Sequence, residues 1–277
     1  MNRAVCLIAV SVLLVRLARA DEPDGTSQEP DTASTQRTLR ELIDEAVNWY
    51  QVLPSATSDT PMKPRVVLRY VNHARESSSG TLVLWLHQGR PEAAATVYDW
   101  QDRIYHAFVS LSRDSRLIAR DGPTVIWQPA RPGIEFMPVP DAAPPSDTDA
   151  GRLREMKALS GLCGSTLLGW KVDLSDREVL RLLTKPLYRY ESRAPDLLDG
   201  AVFAFVQGTD PETLLVLEAV RVGDRYEWQY GFARQSAGAL DGRFRDRVVW
   251  TAAKDPRAGK VDSFSSPSKP ILDKSKR

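Results

Sequence analysis

The stretch "GTLVLWLHQGRPE", residues 80–92, decides the fold because it returns further along the chain as "GAVFAFVQGTDPE", residues 200–212. Each copy begins with Gly, continues as an apolar run and ends in a segment that contains Gly and Pro. Such a run is typical of a β-strand, and Gly and Pro supply the restricted backbone angles of a hairpin turn. The sequence therefore predicts the same strand and the same turn twice.

Other matches keep the same order along the chain. "KPRVVLRY", which ends at Tyr70, matches "TKPLYRY", which ends at Tyr190, and "VIWQPA" from Val125 matches "VVWTAA" from Val248. The offset between matched residues grows slowly and never reverses, as a duplication with small loop insertions would leave it. The alternative is chance similarity between two meanders of one class. We predict a true repeat of about 100 residues, which is a typical domain size.

One amphipathic helix precedes the strands of the first copy. Thr38 and Glu41 are placed as a capping box, and Pro54 marks the end of the helical pattern. The segment "TLRELI" from Thr38 recurs as "RLREMK" from Arg152, so a helix is expected before the second copy too. The apolar residues of the first helix keep the i, i+3, i+4, i+7 spacing of one face, at Leu39, Leu42, Ile43, Ala46, Val47 and Tyr50.

Short runs rich in Val, Leu, Tyr and Trp follow each helix, separated by turn signals, and they predict antiparallel meanders. The sequence thus predicts an α+β fold of two tandem repeated modules, each with one N-terminal helix packed on a curved antiparallel β-meander. This arrangement resembles nuclear-transport-factor-like and cystatin-like folds, a likeness that says little about function. The predicted boundaries are a signal peptide at 1–20, a disordered spacer at 21–35, module 1 at 36–140, a Pro-rich linker at 141–148, module 2 at 149–253 and a disordered tail at 254–277.

The N-terminal segment has the layout of a cleavable export signal. A basic start at Arg3 leads into an apolar run, and small residues at Ala18 and Ala20 precede Asp21. The run is about a dozen residues long, whereas a spanning helix needs roughly 20. We therefore expect an exported protein, periplasmic or extracellular, with no membrane span after signal cleavage. An uncleaved N-terminal anchor is the alternative.

Charge and cysteine content narrow the functional classes. Removal of residues 1–20 takes three of the 37 basic residues and none of the 36 acidic ones, which leaves a formal charge of −2. A nearly neutral chain has no electrostatic footprint for nucleic acid, so no nucleic-acid partner is expected. The signal also contains Cys6, so Cys163 remains alone, without an internal disulfide. Its apolar, Gly-flanked setting favours a structural thiol over a nucleophile.

No catalytic motif stands out in the sequence. G-x-S-x-G, P-loop, G-x-G-x-x-G and H-E-x-x-H patterns are all missing, and His occurs only at His73, His87 and His106. His87 and His106 could approach each other across paired strands, but no carboxylate or Cys spacing completes a metal site. We therefore predict no catalytic residue, no metal and no cofactor.

The most informative strand is "RYEWQYGFA", whose residues at 226, 228, 230 and 232 are all aromatic and point to one face. When the two modules are aligned through the turns at Asp102 and Asp224, the corresponding strand of the first module has two polar residues on that face. One interpretation is that both faces belong to the core and pack on the helix of their own module. The alternative is that the first module has a concave cup for a small apolar or sugar-like ligand. The candidate ligand-binding residues of this cup are Trp85, Ile104, His106, Phe108 and Ser110.

The strings "GRPEAAATVYDW", "RIYHAFVSLSR" and "TKPLYRYES" are similar to an uncharacterised family of predicted secreted proteins from planctomycete bacteria. The resemblance covers most of residues 36–253. It implies export and the full-length architecture, and it carries over no catalytic residue.

Two functions are compatible with the sequence. The first is an exported non-enzymatic binding or scaffold protein of the periplasm or cell surface, with an unknown protein or a small apolar ligand as partner. The alternative is a small-molecule binding protein or enzyme that uses a cup in module 1 around His106.

Overall fold

A computed structural model of the chain describes residues 32–72, 77–114, 116–168, 177–191, 196–255 and 259–271. Residues Ala33–Arg277 form the larger of two units into which the chain divides. The predicted signal peptide and most of the predicted spacer lie outside the described residues. All the strands and the second helix belong to the larger unit.

The first half of the chain, residues 36–140, consists of a helix, a strand meander and a separate hairpin. Helix α1 already begins at Thr32, so Thr38 lies inside it and the predicted capping box is wrong. The segment upstream of Leu39 carries no apolar period, and the hydrophobic pattern could not place the helix start. The elements are α1 Thr32–Ala46, β1 Gln51–Leu53, β2 Lys63–Asn72, β3 Ser77–His87, β4 Arg90–Trp100, β5 Arg103–Ser110, β6 Ile118–Asp121, β7 Thr124–Trp127 and β8 Met137–Pro138.

The second half, residues 149–253, also starts with a helix. The hydroxyl of Thr148 caps α2 by accepting the N–H of Gly151 at 3.1 Å. The elements are α2 Asp149–Ser160, β9 Cys163–Leu168, β10 Arg177–Val179, β11 Arg181–Leu182, β12 Tyr188–Tyr190, β13 Leu197–Gln207, β14 Asp210–Val222, β15 Arg225–Arg234, β16 Ala239–Phe244 and β17 Arg247–Ala252, followed by β18 Phe264–Ser265 and β19 Ser268–Pro270.

The described chain is mostly antiparallel sheet. Central sheet I has the order β18-β5-β4-β3-β2, with β19 also paired to β5, and central sheet II has the order β11-β13-β14-β15-β8, with β12 also paired to β13. Outer sheet I has the order β1-β6-β7, and outer sheet II has the order β10-β9-β16-β17. The hairpin β6–β7 therefore does not extend the meander as predicted, because β18 and β19 occupy the free edge of β5.

Both faces of each central sheet are buried. One face of central sheet I packs on α1 and outer sheet I, and one face of central sheet II packs on α2 and outer sheet II. The remaining faces pack on each other through one apolar cluster, which includes Leu84, Val109, Val202 and Leu214. Burial on both faces explains why β3 and β13 have apolar side chains at successive positions rather than an alternating pattern.

The predicted disordered tail is wrong for residues 259–271. Strand β18 places Phe264 opposite Val109 of β5, and Phe264 is buried. The N–H of His106 donates to the carbonyl of Pro267 at 2.9 Å. An uncovered β5 would present a row of unpaired backbone groups, and the tail pairs them through its main chain. Since main-chain pairing needs no apolar composition, the polar tail gave no strand signal. Strand β8 covers the edge of β15 in the same way.

Candidate functional site

The predicted cup residues lie together on one face of central sheet I, and this face is covered. The rings of Trp85 and Phe108 pack at a centroid distance of 5.3 Å and a tilt of 44° beneath α1 and outer sheet I. The five predicted residues line none of four surface clefts formed by the described part of the chain. All five are at most 1% exposed: Trp85, Ile104, His106, Phe108 and Ser110.

His106 is enclosed by the end of α1 and by the tail. Its Nε2–H donates to the carbonyl of Ala46 at 2.8 Å, and the ring of Tyr50 packs edge-on at 4.7 Å. Lys269 of β19 lies over the Tyr50 ring at 4.9 Å. Burial lowers the pKa of His106 to about 4; the hydrogen bond to Ala46 opposes this shift, and the charge of Lys269 adds to it.

Stability should therefore depend on the protonation of His106. The ring is neutral in the folded protein, whereas an unfolded His has a pKa of about 6.5. Because the unfolded chain binds the extra proton first, we expect the free energy of unfolding to fall as pH falls from about 6.5 toward about 4. His106→Gln keeps a donor for Ala46 and should flatten this dependence, whereas His87→Gln, at an exposed site, should not. Urea unfolding of the three proteins between about pH 7 and about pH 5 measures the slopes. An unchanged slope in His106→Gln would contradict the assignment.

A buried carboxylate lies where α2 meets central sheet II. Asp199 of β13 is fully buried and receives two guanidinium groups. Arg152 of α2 donates from Nε at 2.7 Å, and Arg189 of β12 donates from Nε and Nη2 at 3.1 and 2.6 Å to the two carboxylate oxygens. Arg152 also pairs with Asp149. The second half thus holds its own carboxylate in a bidentate arginine fork between helix and sheet.

The matching place in the first half is a cleft. Tyr70 lies opposite Gly80 in the ladder, as Tyr190 lies opposite Gly200, so Ser79 stands at the position that Asp199 has in the second half. The cleft has a volume of about 380 Å³. We call it the α1 cleft. Its lining includes Arg40, Ile43, Asp44, Leu68, Arg69, Ser79, Arg181 and Leu183.

The charged groups of the α1 cleft are loosely held. Arg69 donates from Nη2 to Asp44 of α1 at 3.0 Å, and both side chains are about half exposed, at 53% and 42%. Arg181 donates to the carbonyl of Gly208 at 2.8 Å. Among the described residues, Arg40 has no ion pair. The N–H of Ser79 donates to Asp99 at 3.2 Å. Three arginines therefore face one lining carboxylate.

A second buried carboxylate joins the two halves. Glu218 of β14 is fully buried and accepts from Arg90 at 2.8 Å, Arg113 at 2.6 Å and the Tyr190 hydroxyl at 2.7 Å. Burial by itself raises the pKa of Glu218, but the charges of Arg90 and Arg113 and the hydrogen bond from Tyr190 outweigh it and hold the pKa below its ordinary value. This group fastens the start of β4 to central sheet II.

A larger cleft of about 800 Å³ is rich in basic residues, but much of its charge is already used. Arg113 is bound to Glu218, and Arg234 donates to three backbone carbonyls at 2.9 to 3.0 Å. The remaining basic lining residues, Arg131 and Lys254, share the cleft with Glu135 and Asp255. Its net attraction for an anion is therefore small.

Within the described ranges, no group of three or more His, Cys, Asp or Glu side chains is arranged to hold a metal ion. Burial raises the pKa of the Cys163 thiol to about 12, so the thiol is protonated and a poor nucleophile. Neither of the two described helices is long and apolar enough to span a membrane.

No protein-family model, curated protein or solved structure matches this chain. The resemblance to secreted planctomycete proteins therefore stays a prediction.

Proposed function

We propose that the chain is an exported, non-enzymatic binding or scaffold protein of the periplasm or cell surface, built by internal duplication of one helix-and-sheet module. The α1 cleft is its binding site for a small ligand. Two sets of contacts and a matched register shift support the duplication, and the contrast between the two halves at Ser79 and Asp199 supports the site.

Matched tyrosine and glycine residues support the duplication. Tyr70 lies opposite Gly80, and Tyr190 lies opposite Gly200. A Cβ atom added to Gly80 would lie 2.3 Å from Cζ of Tyr70, and one added to Gly200 would lie 2.5 Å from Cζ of Tyr190. In both halves only Gly leaves room for the ring, which explains why the opening motif starts with Gly twice.

Matched aromatic stacks support it as well. Phe108 stacks on Trp127 at 5.2 Å and 16°, and Phe232 stacks on Trp250 at 5.9 Å and 22°. The ladder of each outer hairpin shifts register immediately after the residue opposite the tryptophan, Ala119 in one half and Gly242 in the other. A β-bulge and an aromatic stack at the same place in both halves are expected if both halves derive from one ancestral module.

The strand register corrects one detail of the sequence alignment. In the first half, His106 lies opposite Val97. Val97 matches Leu217 at an offset of 120 residues, and Leu217 lies opposite Tyr230. His106 therefore corresponds to Tyr230 and not, as the turn alignment implied, to Trp228. The reason is that β14 has 13 residues where β4 has 11, so the second hairpin is longer in both arms.

One observation carries the binding function. The inward faces of both halves are filled. Where the second half holds Asp199 between two arginines, however, the first half has Ser79 beside a cleft lined by three arginines. Neither the α1 cleft nor the larger basic cleft is lined by His106, so neither supports the alternative of an enzyme or ligand cup around that residue.

Native mass spectrometry of the protein recovered after export tests the binding function. We expect the parent to retain a small molecule that Arg69→Ala loses, because Arg69 is the arginine of the α1 cleft that corresponds to Arg189. Arg225→Ala removes the partly exposed ion pair with Glu227 on another surface and should leave the bound molecule in place. Equal spectra for the parent and Arg69→Ala would contradict a site in the α1 cleft.

Export gives a separate prediction. The mature protein should begin at Asp21, since the residues before it have the layout of a cleavable signal. The intact mass of protein released from the periplasm or the medium measures this directly. A mass that retains residues 1–20 would support the uncleaved anchor instead.

A further inference from the structure

We propose that the α1 cleft takes a ligand with a carboxylate group and an apolar body, and that Asp199 of the second half is the built-in equivalent of this carboxylate. The inference rests on the proposed binding function and names the chemical class of the ligand. A free small acid and the C-terminal carboxylate of a peptide share this chemistry.

The ladder register identifies the matching atoms. Arg69 precedes Tyr70 as Arg189 precedes Tyr190, and both tyrosines lie opposite the matched glycines. Arg189 binds both oxygens of Asp199 through Nε and Nη2. Arg69 is the same residue type at the same position, but the first half has a serine where Asp199 would supply the carboxylate.

The present partner of Arg69 is one that a ligand can displace. Nε and Nη2 of Arg69 both donate to a single oxygen of Asp44, at 3.3 and 3.0 Å, instead of to two oxygens. The pair is about half exposed, and exposed ion pairs are weak because water screens them. A ligand carboxylate bound through two parallel hydrogen bonds restores the stronger geometry that Arg189 already has.

The remainder of the cleft fits the rest of such a ligand. Ile43 is buried, and Leu68 and Leu183 are partly buried, so an apolar wall lies beside the arginine. Arg40 and Arg181 add positive charge, which Asp44 only partly balances. A volume of about 380 Å³ lies in the range of small-molecule sites, about 300 to 1,000 Å³.

The test is isothermal titration calorimetry of the full chain with four probes. Hexanoate and hexanamide differ only in the charged group, and a leucine-terminated pentapeptide is compared with its C-terminal amide. We expect one acid to bind at one site per chain and its amide to bind at least about tenfold more weakly, because the amide cannot form the two charge-assisted bonds. Tighter binding of hexanoate than of the peptide identifies a free acid as the ligand, and the reverse order identifies a peptide terminus.

Ser79→Asp is the decisive variant. Its carboxylate should reach Arg69 as Asp199 reaches Arg189, so binding of the acid should be lost. Ser79→Asn is the matched control of the same size without the charge, and it should bind as the parent does. Arg69→Gln provides a second loss variant if Ser79→Asp does not fold.

Three results would overturn the inference: neither acid binds, the acids bind no better than their amides, or both loss variants bind like the parent. These failures are distinguishable from failure of the binding function. A native ligand that Arg69→Ala loses, together with no binding of either acid, leaves the site in place and rejects only the carboxylate class.

Discussion

Replacing Glu218 by Gln is expected to lower the free energy of unfolding by about 3 kcal/mol, the lower end of the range for a broken buried ion pair. Arg90 is only 8% exposed, and the substitution leaves its charge with Glu92 as the remaining partner at 3.0 Å. Urea unfolding measures the change. Glu227→Gln removes the carboxylate that pairs with Arg225, whose side chain is 74% exposed, and should cost less than about 1 kcal/mol.

The same substitution should change the acid limb of the stability curve. The pKa of Glu218 is depressed in the folded protein, so its contribution is present above the unfolded pKa of about 4.3 and is lost as pH falls through the folded value. The parent should therefore lose stability more steeply than Glu218→Gln below about pH 4.3. Equal acid limbs, or a cost no larger than that of Glu227→Gln, would contradict the role of this pair.

Phe108→Ala and Phe232→Ala are each expected to lower the free energy of unfolding by about 3 to 5 kcal/mol, the usual cost of a cavity left by a buried Phe. Both side chains are fully buried, and each stacks on the matched tryptophan of its own half. Thermal or urea unfolding measures both. Val179→Ala, at a site that is 80% exposed, should change stability by less than about 0.5 kcal/mol.

This pair of variants also separates the filled core from the predicted cup. A Phe108 that lined a solvent-filled cup would lose few contacts on truncation, and its cost would be far below that of Phe232. Similar costs for the two variants are expected if both halves pack the same layer against the same hairpin.

Local features were readable from the sequence because they depend on neighbouring residues. Gly80 and Gly200 marked two matched strands, although each strand begins three residues earlier, and the spacing of Ile43, Ala46 and Val47 marked the buried face of α1. The start of α1 was missed because backbone hydrogen bonds extend a helix without any apolar signal. The tail strands were missed for the related reason that main-chain pairing to β5 does not require apolar residues.

The polar site was partly readable. The lone carboxylate in the apolar run "LLVLEAV" is a signal, not used in the sequence analysis, that Glu218 needs a buried partner. Its partner Arg90 is 128 residues away, and no local pattern reveals it. The alignment that matched Gly80 with Gly200 also placed Ser79 beside Asp199. What it lacked was the fork of Arg189 around Asp199, because that contact depends on how α2 and β12 pack in three dimensions.

The most direct measurement is a crystal structure of the protein with bound hexanoate, in which the two halves are superposed through Tyr70 with Tyr190 and Gly80 with Gly200. The predicted result is that Phe108 falls on Phe232 and that the hexanoate carboxylate, bound by Arg69, falls on the carboxylate of Asp199. Halves that do not superpose would contradict the duplication, and a carboxylate bound away from Arg69 would contradict the binding site in the α1 cleft.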